Sequence, residues 1–82
     1  AGAFWGFFMR YRLFVRLGCH LCADAFTLLS EMGVAVQRIN IDRDPALRAQ
    51  YDLLVPVLFD TEGDRELLYP FDAQAVRRFM GG

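Results

Sequence analysis

From Tyr11 to Leu17 the chain alternates, with Tyr11, Leu13, Val15 and Leu17 on one side and Arg12, Phe14 and Arg16 on the other. That two-residue period predicts a β-strand, and Gly18 ends it. From Leu21 the spacing changes: Leu21, Ala25, Leu28, Leu29 and Met32 form one stripe of a helix that Gly33 stops. Val34 to Ile41 is β-branched and alternates again, so the first three elements predict a βαβ unit with parallel strands joined right-handed. Asp44 and Pro45 provide an N-cap and first position for a second helix reaching about Tyr51. Val55 to Asp60 reads as a third strand, Thr61 to Asp64 as a turn, and Arg65 to Leu68 as a fourth strand, an antiparallel hairpin. A last helix opens at the N-cap Asp72, with Phe71 placed to pack on Val76 and with Val76, Phe79 and Met80 as its buried stripe. The result is a four-stranded mixed α/β sheet with helices on both faces.

Size and charge narrow this picture. Eighty-two residues that are 55% hydrophobic hold enough apolar surface for one core and too little chain for two domains. The net charge is -1 and the nine basic residues, all arginine, form no stripe, which argues against nucleic acid as a partner. Residues 1–8, AGAFWGFF, are far shorter than the roughly 20 residues of a bilayer span and have no signal-peptide pattern. They read as an appendage to a single domain over residues 9–82, with no membrane partner. Their aromatic residues Phe4, Trp5, Phe7 and Phe8 would nonetheless seek burial, and so bear on self-association.

The chemistry gathers in GCHLC, residues 18–22, which holds both cysteines and the sole histidine. Cys19 and Cys22 are a redox couple, part of a metal site, or two packed core residues. Zinc takes four ligands, and beyond Cys19, Cys22 and His20 only scattered carboxylates remain. Haem attachment requires a histidine after the second cysteine, where this chain has Ala23. At a helix N-terminus the Cys19 sulfur would meet unpaired backbone N–H groups and the positive end of the helix dipole. Such placement lowers a cysteine pKa from about 8.5 to roughly 3.5–7.5, which suits Cys19 as nucleophile and Cys22, one turn on, as the resolving thiol. His20 reads as an exposed spacer that modulates Cys19. A C-x-x-C pair beside a βαβ pattern, with no further cysteines, points to the cytoplasm.

With C-x-x-C between the first strand and first helix, Val55-Pro56 opening the third strand, and the βαβ, α, ββα order, the chain resembles the thioredoxin superfamily. Within it, the resemblance is to glutaredoxins and their short bacterial glutaredoxin-like relatives, over Met9 to Met80. It implies a thioredoxin-like fold, a cis peptide bond at Pro56, and a thiol–disulfide oxidoreductase acting on a disulfide-containing protein or a small thiol. Arg16 stands where many glutaredoxins have a lysine that contacts a glutathione carboxylate. Val55 and Pro56 match the segment whose backbone pairs with the tripeptide, and Asp72 matches an aspartate before the last helix. These residues and His20 are therefore candidate substrate contacts. Two departures stand out: His20-Leu21 replaces the usual Pro-Tyr, and Tyr69, Pro70 and Phe71 occupy the place of a glycine pair that lets glutathione approach. The expectation is a monomer with no tightly bound cofactor and with glutathione disfavoured. Two alternatives stay open: a non-catalytic thioredoxin-fold binding module, and a dimeric carrier of a metal or iron–sulfur cluster.

Overall fold

The computed structural model describes residues 9–81, so the reading of residues 1–8 as an appendage lies outside the described residues. The elements follow the order β1 (Tyr11–Val15), α1 (His20–Glu31), β2 (Val36–Asn40), a 3-10 turn (Ile41–Arg43), α2 (Pro45–Tyr51), β3 (Val57–Asp60), β4 (Arg65–Leu68) and α3 (Ala73–Phe79). The sheet order is β2-β1-β3-β4. β1 runs parallel to β2, as the βαβ crossover requires, and antiparallel to β3, which forms a hairpin with β4. This is the mixed sheet expected from the pattern.

Each face of the sheet is covered, which explains why β1 is apolar on both sides. Tyr11 and Leu13 join Leu58 from β3, Ala25 and Leu29 from α1, and Val76 and Phe79 from α3 in the larger core. Phe71 belongs to the same cluster as Val76, in keeping with its expected role at the start of α3. On the opposite face Phe14 and Val57 pack with Ile41 and with Tyr51 of α2. The Phe14 ring lies 4.8 Å from that of Tyr51 and 5.7 Å from that of Phe59. Each fully buried leucine or valine here contributes about 1.5–3 kcal/mol relative to exposure.

Four positions differ from the sequence expectation. Leu17 does not continue the β1 face; the strand ends at Val15 and Leu17 is 84% exposed. Leu21 is not on the buried stripe of α1, which is Cys22, Ala25 and Leu29, and is half exposed. The helix begins at His20, so the face toward the sheet is set by Cys22, and Leu21 is rotated about 100° away from it. β2 starts at Val36 because the chain after the positive-φ Gly33 is still closing α1, where Val34 N–H donates to the Leu29 carbonyl. β3 starts at Val57 because Pro56 has no N–H to give the ladder. Among the described residues no helix is long and apolar enough to cross a membrane.

Candidate functional site

Gly18, with φ of +72°, turns the chain from β1 into α1 and leaves Cys19 as the N-cap. Cys19 keeps an extended backbone, while its carbonyl already accepts the Ala23 N–H at 3.1 Å. Its Sγ accepts the backbone N–H of Cys22 at 3.1 Å, the bond that a serine or aspartate makes at most helix starts. The two sulfurs lie at disulfide distance across a Cα–Cα separation of 5.2 Å. Cys22 is buried against the sheet, Cys19 is partly accessible and His20 faces solvent.

Arg16 is less free than a substrate contact would be. Its guanidinium donates to both carboxylate oxygens of Asp42, at 2.9 and 3.3 Å, and also to the carboxylate of Asp52. Asp42 sits in the 3-10 turn and Asp52 is the C-cap of α2, so Arg16 clasps the end of β1 to both. The Asp42 hydrogen bond raises the Arg16 pKa, and the same bond holds the Asp42 carboxyl below its usual range. With two carboxylates beside it, this cation contributes little net positive potential at Cys19.

Arg16, Cys19, His20 and Cys22 share one groove of about 490 Å³. Phe26 and Arg38 form its far wall, with the Arg38 guanidinium 4.1 Å from the centre of the Phe26 ring. Val55 lies apart from these four, in a second groove of about 400 Å³ that also takes in Leu21. The Val55–Pro56 and Tyr69–Pro70 peptide bonds are both cis, and Pro56 is fully buried. Asp72 lines neither groove and instead caps α3, accepting the Ala75 N–H at 2.8 Å. Hydrophobic periodicity does not mark Arg38, Leu53 or Leu54 as groove residues. A pair of leucines inside a connection, where apolar side chains have no periodic face to join, is the signal that marks the last two. No group of three or more His, Cys, Asp or Glu side chains suited to a metal ion occurs among the described residues.

A C-x-x-C pair capping the helix after the first strand, on a βαβ-α-ββα sheet, defines a thioredoxin-like domain. Residues 10–80 match the family described as Glutaredoxin-like domain (DUF836), and the chain belongs to that family. A search of curated proteins found no match. Among solved structures it is similar to target protein XcR50 from X. campestris, at 41% identity and a TM-score of 0.78 for the X-ray structure, covering 85% of this chain and 93% of that one. The solution structure of the same target gives 41% identity and a TM-score of 0.77, over 88% and 92% of the two chains. Protein Ne2328 from Nitrosomonas europaea is 31% identical with a TM-score of 0.75, over 85% of this chain and 88% of that one.

Proposed function

We propose that the domain is a thiol–disulfide oxidoreductase in which Cys19 is the nucleophile and Cys22 the resolving thiol. The observation that carries this reading is the position of Cys19: partly accessible, at the N-cap, with its sulfur held by a first-turn N–H. In the reduced protein the same N–H groups and the helix dipole would stabilise a Cys19 thiolate. That thiolate attacks one sulfur of a substrate disulfide, breaking its S–S bond, forming a Cys19 mixed disulfide and expelling one substrate thiolate. Cys22 then gives up its proton and attacks the Cys19 sulfur, which releases the second substrate thiolate. The substrate gains two electrons and two protons and leaves as two thiols, while the domain ends as the Cys19–Cys22 disulfide. A dithiol reductant returns it to the starting state.

The buried position of Cys22 suits the resolving role, because only an internal attack reaches a partner from there. The clasp on Arg16 points to the helix N-terminus, rather than this cation, as the main source of thiolate stabilisation. The test is trapping with a model disulfide followed by mass spectrometry. Cys22→Ser is expected to accumulate a mixed disulfide on Cys19, and Cys19→Ser to accumulate none. A trapped adduct on Cys22 in the Cys19→Ser variant, with none on Cys19 in the other, would reverse the assignment. Absence of adducts in both would exclude exchange altogether.

A further inference from the structure

Five large apolar side chains stand exposed among the described residues, and four of them, Leu21, Leu53, Leu54 and Leu68, line the second groove. They come from α1, the α2–β3 connection and β4, so the gathering is a product of the fold and not of one apolar segment. Leu53 is 92% exposed. Val55, Tyr69 and Pro70 complete the lining, and no charged side chain belongs to it. Leu21 sits between Cys19 and Cys22 in the chain, so this groove and the cysteine pair share the first turn of α1.

We infer that this groove takes an uncharged, apolar stretch of polypeptide flanking the disulfide of a protein substrate, in preference to glutathione. The inference rests on the exchange chemistry proposed above and names its substrate class. The charge pattern decides between the two occupants. Glutathione brings two carboxylates and an ammonium, and burying a charge against an uncharged apolar wall is costly without a partner. Three of the residues matched to glutathione contacts are engaged elsewhere. Asp72 is spent on the α3 cap, Arg16 on Asp42 and Asp52, and the Val55 N–H on the Tyr51 carbonyl at 3.2 Å. An apolar flank needs none of them and removes four exposed leucines from water, at about 25 cal/mol per Å² of apolar surface covered. Its volume of about 400 Å³ falls within the size of clefts that hold small groups, so the contact is to a few side chains beside the disulfide.

The experiment compares kcat/KM of the full chain, with a dithiol reductant, on three disulfides. One is a peptide disulfide with leucine and valine beside the cysteine, the second is the same peptide with glutamate at those positions, and the third is glutathione disulfide. The apolar peptide is expected to exceed each of the others by about tenfold or more, the range that apolar contacts discriminate. In Leu53→Glu/Leu68→Glu, whose fold is checked by circular dichroism, the ratio between the two peptides should fall toward one. Equal rates on both peptides, or a preference for glutathione disulfide, would overturn the inference and leave the exchange activity standing. Failure on all three disulfides would remove the exchange reading as well. Sedimentation giving a wild-type dimer that the double variant dissolves would assign the groove to a second copy of the chain and also overturn it.

Discussion

Asp60 is the one fully buried charged side chain among the described residues, and donors converge on it from several directions. Arg10 binds both its oxygens, at 2.9 and 3.0 Å, Arg65 donates at 3.3 Å and the Glu62 N–H at 3.0 Å. The Arg10 hydrogen bond, first among these, holds the carboxyl well below the ordinary range. A depressed carboxylate stabilises the fold fully above its unfolded pKa of about 3.9 and loses that contribution as pH falls toward the folded value. Denaturant melts should therefore show wild type weakening below about pH 4, while Asp60→Asn is less stable at neutral pH and loses less on acidification. The opposite sign applies at Tyr51, where burial and then the hydroxyl's 2.8 Å bond to Glu66 push the phenol up to about 12. Its contribution is complete below the unfolded value of about 10 and disappears as pH climbs toward 12, a decline that Tyr51→Phe should lack. Neither site was legible in the sequence. The main partner of Asp60 is 50 positions away and that of Tyr51 is 15 away, beyond anything a local period encodes.

At the scale of elements the sequence was far more readable, because period and caps are local. Asp44 and Asp72 both cap the helices they were expected to open, and Gly33, with φ of +75°, follows α1 as a stop should. Asp72→Ala is expected to cost about 1 kcal/mol in thermal or denaturant unfolding, the usual loss for a cap. Gly18 tests conformation alone: an added Cβ would meet nothing within 4 Å, yet φ of +72° is unfavourable for other residues. Gly18→Ala should therefore cost about 1–2 kcal/mol with no clash, measured by urea unfolding of the oxidised protein. What escaped the reading were turns built from side chains. The 3-10 turn after β2 is set by Asn40 accepting the Asp42 N–H at 3.0 Å, and it carries the carboxylate that claims Arg16. The candidate site was therefore legible in its cysteines, whose spacing is local. The partition of Arg16, Val55 and Asp72 into separate surroundings was not, since it depends on how distant turns meet.

For the whole molecule, β1 and β3 are the spine, and Leu13 opposite Leu58 is its centre, both without solvent exposure. Leu58→Ala should cost about 2–5 kcal/mol by lost burial and the cavity left behind. Domains are stable by only about 5–15 kcal/mol in total, so a sharply lowered urea midpoint is the expected result. Arg65 reaches from β4 past Asp60 to the Phe79 carbonyl at 2.7 Å, tying the close of α3 to the hairpin. The sheet itself is only four strands wide, and its outermost members are β2 and β4. Each leaves a row of backbone donors and acceptors able to recruit a stranger's strand, but Arg38 stands on one rim and Arg65 with Glu66 on the other, all exposed. A domain that gathers four bare leucines in one groove is thus guarded, by charge along both margins, against polymerising edge to edge.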